Sequence, residues 1–136
     1  MAKDDDKPPP RIEPALKLAP RARDLYWCDF PADARLPELW KRRPVIVVGS
    51  DRKLYGAVTV VPCSSLDQTG NRWAYKLTTT IDGEGNSWAI CDKPSTFAVS
   101  RLVPDHRGKV RLPPEEFTEV LRLLLSWLPK LSPPAP

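Results

Sequence analysis

The stretch KRRPVIVVGS, residues 41–50, carries the clearest strand signal of the chain. A continuous β-branched apolar run follows Pro44, which is typical of a strand that is buried on both faces. Proline fixes φ and donates no hydrogen bond, so it suits the beginning of such a strand. Three cations, Lys41, Arg42 and Arg43, come directly before it. Charges in this position indicate either the rim of an ordinary barrel or a site that binds an anion.

Further strand patterns lie on both sides of this stretch. RDLYWCDFP, residues 23–31, alternates with period two, so Leu25 and Trp27 should face away from Tyr26 and Cys28. Later candidates are YGAVTVVPCS (55–64), NRWAYKLTTT (71–80), NSWAICD (86–92), STFAVSRLV (95–103) and the short edge candidate GKVRL (108–112), with DGEG (82–85) as a turn. Strands at this spacing predict a small antiparallel barrel or sandwich.

The last predicted element is a helix in LPPEEFTEVLRLLLSWLP, residues 112–129. Prolines suit a first helical turn, and the two glutamates that follow are favourable at the positive end of the helix dipole. The apolar stripe consists of Phe117, Val120, Leu121, Leu124 and Leu128. We expect this helix to pack on the barrel.

Proline also marks the domain limits. Of 17 prolines, five lie in residues 1–20 and four in residues 129–136, so both ends are poor in regular structure. The predicted organisation is a flexible proline-rich extension at 1–21, one folded domain at 22–128 and a proline-rich tail at 129–136.

Composition and charge bound the class of protein. The chain has 136 residues, 41% of them hydrophobic, and a net charge of +4, which suits a polyanionic partner without requiring one. No apolar run approaches the roughly 20 residues of a membrane span, and the N-terminus lacks the apolar centre of a secretory signal. We therefore expect a cytoplasmic protein with no membrane association.

Several chemistries are poorly supported. His106 is the only histidine, and Cys28, Cys63 and Cys91 are widely spaced, so we predict neither a metal site nor a disulfide framework but buried cysteines. Cys63 stands next to a candidate hydroxyl, so a role in the site stays open. Nucleotide-binding loops and the GxSxG elbow are missing. No cofactor is predicted, and the groups that remain are guanidinium, hydroxyl and carboxylate.

Positive charge is concentrated in two segments. Residues 38–53 and residues 101–111 each carry a net charge of +3, and four tryptophans are interleaved with them. Cations combined with aromatic rings are typical of proteins that bind single-stranded nucleic acid, because every base has a face that can stack. A solvated barrel rim above core tryptophans explains the same pattern, so the residues alone leave both alternatives open.

Four stretches in order, LYWCDF, KRRPVIVV, VTVVPCSS and WAICDKPSTFAVSRL, resemble the MazF/PemK family of toxin endoribonucleases from type II toxin–antitoxin systems. The resemblance covers about residues 22–128. It implies an SH3-like, CcdB/PemK-like small antiparallel barrel with a C-terminal helix. It also implies metal-independent, sequence-specific cleavage of single-stranded RNA such as mRNA, in which the 2′-hydroxyl attacks the adjacent phosphate. A cognate antitoxin and a homodimer are the partners that it implies.

The resemblance assigns site residues one position at a time. Arg43 matches the catalytic arginine, Ser64 falls where a catalytic threonine is usual, and Glu38 falls where some members carry an acidic residue. Trp27 matches an aromatic residue near the RNA groove. Candidate contacts to the RNA backbone are Lys41, Arg42, Arg52 and Arg101. Two departures are the serine at 64 and Asp92-Lys93 in place of an aspartate-glutamine pair.

Physical chemistry suggests how these groups would act. A guanidinium fork on a rigid strand can grip a phosphate as its negative charge grows. Neutral arginine is a poor base, so Glu38 is the better proton acceptor if Trp40 and the loop around it raise its pKa by partial desolvation.

Two other functions share the predicted fold. A CcdB-like gyrase poison depends on a C-terminal Trp-Gly-Ile, whereas Trp127 is followed here by LPKLSPPAP. A non-catalytic SH3-like binding module would need no arginine–hydroxyl pair.

Overall fold

The computed structural model describes residues 7–79 and 86–134, in which one antiparallel sheet curls around itself and a helix follows it. The strands are β1 (Asp24–Asp29), β2 (Arg42–Ser50), β3 (Ala57–Ser64), β4 (Ala74–Leu77), β5 (Ser87–Ile90), β6 (Ser95–Ala98), β7 (Leu102–Val103) and β8 (Val110–Arg111). The helix is α1 (Pro114–Trp127). The mainly β class with a C-terminal helix is therefore confirmed, and the turn predicted at 82–85 lies outside the described residues.

The order of the strands in the sheet places β2 and β3 at its centre. Neighbours run β4-β5-β3-β2-β1-β7, while β6 also pairs with β3 and β8 also pairs with β1. Because β3 pairs with β2, with β6 and then with β5, the sheet bends sharply along this strand. The end of β3 consequently lies beside the beginnings of both β2 and β5.

The central strand β2 is buried on both faces, as its sequence predicts. Ile46 belongs to a first cluster together with Leu25 and Val61, and this cluster packs under α1. Val45 and Val47 point the other way into a second cluster with Tyr26 and Cys28. The period-two alternation of β1 is confirmed by the same division, since its odd and even residues fall in different clusters.

The helix α1 closes the first cluster through its apolar stripe. Val120 and Leu124 are buried, whereas Leu128, predicted as the last residue of the stripe, follows the end of the helix and is half-exposed. Glu116 adds a tertiary contact at the first turn, because its carboxylate accepts hydrogen bonds from the backbone N–H and the hydroxyl of Thr78, each at 2.7 Å. This carboxylate ties the beginning of α1 to the end of β4.

One predicted strand proved to be three elements. Residues 95–103 form β6, a short 3-10 turn at Val99–Arg101, and then β7. The turn redirects the chain from the partner of β3 to the partner of β1. Val99 is fully buried at this corner, so the apolar pattern continues even though the strand does not.

Part of the N-terminal segment packs against the barrel. Leu16 is buried in the second cluster and Pro20 is fully buried, although both precede residue 22, where sequence analysis began the domain. The carbonyl of Pro20 accepts a hydrogen bond from the Ser50 hydroxyl at 2.8 Å. Within residues 7–79 and 86–134, no helix combines the length and the apolar character needed to cross a bilayer.

Candidate active site

A cleft opens where the face of the first cluster changes from apolar to polar. Along β1 this face passes from Leu25 to Trp27, and along β3 it passes from Val61 through Cys63 to Ser65, just beyond the strand. The helix α1 packs over the apolar part of the face but does not line the cleft. The fold therefore leaves one end of this face open.

The cleft has a volume of about 170 Å³. Its described lining consists of Trp27, Lys41, Arg42, Arg43, Pro44, Cys63, Ser65, Asn86 and Ser87. Three of these side chains are cations and none is a carboxylate. Four of the eight residues that sequence analysis assigned to the site, Trp27, Lys41, Arg42 and Arg43, thus line one concave surface.

Arg43 is held firmly by the protein. It is only 8% exposed, and its Nε–H donates to the backbone carbonyl of Trp40 at 2.9 Å. The guanidinium carbon lies 5.6 Å from the centre of the Trp40 ring, within cation–π range. Burial lowers the pKa of Arg43 from its ordinary value, but a guanidinium remains protonated at neutral pH. The result is a fixed positive charge at the beginning of β2.

The other two cations, Lys41 and Arg42, are exposed to solvent. Lys41 adopts a left-handed backbone conformation with φ of 66° immediately before β2. Arg42 makes a bidentate ion pair with Asp29, with Nε–Oδ1 at 2.7 Å and Nη2–Oδ2 at 3.2 Å. This pairing orients Arg42 across the strands, since Asp29 and Arg42 are opposite one another in β1 and β2.

The hydroxyl predicted at Ser64 lies beside the cleft. Its neighbours Cys63 and Ser65 line the cleft, whereas Ser64 itself is buried at 6% exposure and its Oγ accepts the N–H of Leu66 at 3.2 Å. The β2–β3 register pairs Val45 with Pro62. Extended by two residues, that register sets Arg43 opposite Ser64.

Trp27 is fixed by a buried carboxylate that sequence analysis did not single out. The indole N–H donates to Oδ1 of Asp105 at 3.2 Å, and Arg107 donates to Oδ2 at 2.6 Å. Burial alone would raise the pKa of Asp105, but the hydrogen bonds from Arg107 and Trp27 hold it at about 2. Asp105 therefore stays ionised and keeps the indole ring in one orientation.

Glu38, the proton acceptor proposed from sequence, lies in a different cavity. This cavity, about 560 Å³, lies between the loop of residues 31–39 and the segment of residues 93–97, which includes the beginning of β6. Glu38 is exposed there, and its Oε1 accepts the backbone N–H of Arg35 at 2.7 Å. The structure therefore does not bring Glu38 together with Arg43 in the cleft.

Two of the predicted backbone contacts also lie outside the lining of the cleft. Arg52 follows the far end of β2, and a nine-residue strand spans roughly 27 Å. Arg101 lies nearer, because its Nη1 donates to the carbonyl of Asp29 at 3.3 Å and its guanidinium carbon is 5.5 Å from the Phe97 ring centre. Arg101 is thus close to the Arg42–Asp29 pair, whereas Arg52 is remote.

The three cysteines are buried and free, as predicted. Burial raises the pKa of the Cys63 thiol to about 12, although a hydrogen bond with Ser87 opposes the shift. A thiol in this state is not a nucleophile at neutral pH. Cys63 thus forms part of the wall of the cleft. Among the described residues, no group of three or more histidine, cysteine, aspartate or glutamate side chains is placed to hold a metal ion.

Sequence analysis missed three polar residues of the lining, Ser65, Asn86 and Ser87. Asn86 directly precedes β5 and Ser87 begins it, and both reach the cleft because β5 runs antiparallel to β3, with Ser64 opposite Trp88. The pairing of these two strands was the missing information, since NSWAICD gives no sign of which strand it will join. Ser65 could have been found from its position next to Ser64.

Comparison with known proteins agrees with this architecture. The family model of the PemK-like, MazF-like toxin of type II toxin–antitoxin systems matches residues 21–128. Curated proteins gave no match. Among solved structures, MazF (Form-I) from Deinococcus radiodurans superposes with a TM-score of 0.63 and 21% identity, over 79% of this chain and 94% of that one.

Two further structures are complexes. A MazE-MazF structure (Form-II) from Deinococcus radiodurans has a TM-score of 0.58 and 20% identity, covering 79% of this chain and 93% of that one. An endoribonuclease in complex with its cognate antitoxin from a mycobacterial species has a TM-score of 0.60 and 15% identity, covering 83% and 100%. At these identities the structures support the fold, and the match to the family model over residues 21–128 assigns the chain to the PemK-like, MazF-like toxins of type II toxin–antitoxin systems.

Proposed function

We propose that this toxin is a metal-independent endoribonuclease that cleaves single-stranded RNA at specific sequences and so inhibits growth. The observation that carries the proposal is that Arg43, whose guanidinium is fixed by Trp40, lines a cleft whose described lining holds three cations, one tryptophan and no carboxylate. Such a lining attracts a phosphodiester and offers a ring on which a base can stack.

Arg43 is suited to stabilise the transition state. Its Nε is occupied by the carbonyl of Trp40, and its terminal nitrogens make no hydrogen bond to the described part of the chain. Those nitrogens form the fork that donates two parallel hydrogen bonds to phosphate oxygens. Because the protein has already fixed the group, little reorganisation is needed when negative charge develops on the phosphate.

The proposed reaction is a transesterification within the RNA. The 2′-oxygen attacks the adjacent phosphorus, the bond to the 5′-oxygen of the next nucleotide breaks, and a 2′,3′-cyclic phosphate and a 5′-hydroxyl result. The 2′-hydroxyl gives up its proton, and the leaving oxygen gains one. Arg43 stabilises the pentacovalent state more than the ground state, because the equatorial oxygens carry more charge there.

A hydroxyl from the end of β3 is the proposed second donor. Ser64 accepts one hydrogen bond from Leu66, but a serine hydroxyl keeps its own proton to donate. The register of β2 and β3 supports Ser64 as the partner of Arg43. Ser65 lies in the lining itself and is the nearest competitor for the role.

The proton acceptor has the least support. Glu38 can act as the base only if the loop of residues 31–39 carries its carboxylate out of the large cavity and into the cleft. Leaving that cavity would break the hydrogen bond to the Arg35 backbone. The role of Glu38 thus requires a movement of the loop on RNA binding.

The proposed partners are single-stranded RNA, a cognate antitoxin and a second copy of the chain. The complexes among the structural neighbours support an antitoxin, and the cationic lining of the cleft suits an acidic segment of such a protein. The homodimer rests on the family resemblance alone, and light scattering on the purified protein tests it directly.

The decisive experiment uses a long mixed-sequence RNA with EDTA present. We expect cleavage at a short recurring sequence, 2′,3′-cyclic phosphate ends upstream and 5′-hydroxyl ends downstream. Mapping the ends gives the sequence preference. Intact RNA after prolonged incubation with folded protein would reject the proposal, and cleavage that stops when EDTA is added would reject its metal-independent form.

A further inference from the structure

Another cavity, separate from the large one beside Glu38, lies on the other side of Trp27 from the cleft. We refer to it as the second cavity. Its volume is about 330 Å³, and its described lining is Trp27, Arg42, Val103, Pro104, Asp105 and His106. This volume falls within the range of about 300–1,000 Å³ that is usual for small-molecule sites. Trp27 and Arg42 belong to both cavities, so the second cavity continues the cleft across the sheet.

The register of the sheet explains this continuity. Trp27 pairs with Pro44 of β2 on one side and with Val103 of β7 on the other. Directly opposite residues in an antiparallel pair project from the same face. The three residues therefore form a row perpendicular to the strands, with Trp27 in the middle, the cleft beside Pro44 and the second cavity beside Val103.

At the second cavity the cations are more exposed than the carboxylate of the lining, although Arg42 is also paired with the half-exposed Asp29. Asp105 has a side chain that is 1% exposed, whereas Arg107 and Arg42 are 38% and 54% exposed. The carboxylate is thus turned inward and the guanidinium groups reach solvent. His106 lies at the rim with an 80% exposed side chain, and its Nδ1 is 3.5 Å from Oδ1 of Asp105.

We propose that this second cavity binds the nucleotide adjacent to the scissile step, with the base against Trp27 and His106 and the phosphate near Arg42. The proposal rests on the proposed function, since it takes the same RNA strand as the occupant of both cavities. Asp105 is a positioning residue, because its hydrogen bond fixes the indole ring that the two cavities share. Ring stacking of this kind tolerates any base, so the subsite adds affinity rather than sequence selectivity.

The test measures binding separately from cleavage. Oligouridines of 3 to 9 nucleotides, fully 2′-deoxygenated so that they cannot be cut, are titrated against the whole protein by fluorescence anisotropy. We expect the affinity of the wild type to rise stepwise at the length that reaches the second cavity. His106→Ala should lose about 5- to 20-fold of that rise, whereas Lys130→Ala on the exposed tail should lose none. Arg42→Ala should also weaken the binding of the shorter oligomers, because Arg42 lines the cleft as well.

A second measurement locates the strand. Oligouridine that carries one 4-thiouridine is cross-linked by near-ultraviolet light, and the modified peptides are identified by mass spectrometry. We expect adducts on Trp27 and on the segment of residues 104–106. Trp27→Phe removes the indole N–H that Asp105 accepts but keeps a ring, so the adduct yield at 104–106 should fall while thermal stability changes little.

The outcomes separate the two proposals. If RNA is never cut but His106→Ala still removes the stepwise rise, the nuclease proposal fails and the subsite stands. If RNA is cut but both variants bind every length as the wild type does, the subsite fails. If His106→Ala weakens the binding of an acidic peptide but not the binding of oligouridine, the proposed subsite also fails. The cavity would then be a contact for a protein partner.

Discussion

The two ends of one sheet face differ in what covers them. At one end Leu25, Ile46 and Val61 pack under Val120 and Leu124 of α1, and these five residues are almost fully buried. Two residues further along each strand, the helix no longer covers the face, and tryptophan, proline and cysteine lead into cations and hydroxyls. The difference assigns stability to the covered end and chemistry to the open end, although both belong to the same strands.

The largest effect should come from Arg43 at the open end. We expect Arg43→Ala to lower the rate of RNA cleavage about 10²- to 10³-fold, as for other preorganised donors to a developing oxyanion. Arg43→Lys should not restore the rate, because an ammonium cannot reproduce the planar fork. Initial rates on an RNA with the mapped sequence measure both, with Arg122→Ala on the surface of α1 as the control.

Circular dichroism and thermal unfolding must show that the Arg43 variants remain folded. Since Arg43 bonds to the carbonyl of Trp40, a small loss of stability is compatible with the assignment. A folded Arg43→Ala protein that cleaves RNA at the wild-type rate would remove Arg43 from the mechanism.

At the covered end, the expected effect is on stability and not on chemistry. Leu124→Ala should lower the free energy of unfolding by about 2–3 kcal/mol, the lower part of the range for buried leucine, since Leu124 is 8% exposed. The midpoint of urea denaturation should fall with an unchanged slope. Leu125→Ala is the matched control, because Leu125 is the next residue of α1 and is 63% exposed.

The folded fraction of Leu124→Ala should still cleave RNA at the rate of the wild type, measured in the cold, where the variant is folded. A large loss of cleavage by folded Leu124→Ala would show that the covered and open ends are coupled.

The sequence predicts the covered end better than the open end. The alternation in β1 and the double burial of β2 follow from the periodic placement of apolar residues, and both are confirmed. The stripe of α1 follows in the same way and is confirmed from Phe117 to Leu124, but not at Leu128. The cations before Pro44 marked residues 41–43 as a possible anion site, and the family resemblance then selected Arg43 among them. The sequence could not identify three other residues, Asp105, Asn86 and Ser87, because they reach Trp27 or the cleft only through strand pairing between distant segments. The break of residues 95–103 into three elements was also missed, because buried Val99 keeps the strand-like apolar pattern through the 3-10 turn.

The next prediction distinguishes the two hydroxyls at the end of β3. We expect Ser64→Ala to lower the cleavage rate about tenfold, the loss of one neutral hydrogen bond to a charged group. Ser65→Ala, the matched variant, should lower it less, because Ser65 is exposed and lies beyond the end of the strand. The cleavage rates of the two variants, measured on the mapped RNA under the same conditions, show which hydroxyl contributes more. The reverse order would transfer the role to Ser65.

A smaller effect concerns the carboxylate that holds Trp27. The pKa of Asp105 is depressed to about 2, so the ionised form is stabilised in the folded state. Its contribution is complete above the unfolded pKa near 4 and is lost as the pH falls toward 2. Asp105→Asn should therefore lower the melting temperature by a few degrees at pH 7 and by less at pH 3, whereas Asp33→Asn in the exposed loop should change neither. A difference between wild type and Asp105→Asn that grows on acidification would contradict this account.

The smallest effect is expected from Glu38, which lies at neither end of the face that carries the cleft. If its carboxylate stays in the large cavity, Glu38→Gln keeps an oxygen for the Arg35 N–H and should alter the cleavage rate by no more than about threefold. If the loop instead delivers Glu38 as the base, the rate should fall by about 10²- to 10⁴-fold and the acidic limb of the pH–rate profile should disappear. Glu115→Gln, an exposed glutamate in the first turn of α1, is the control for the loss of a surface charge. Measured with Arg43→Ala on the same RNA, this variant decides whether the open end of the sheet works with its own groups or needs the loop above it.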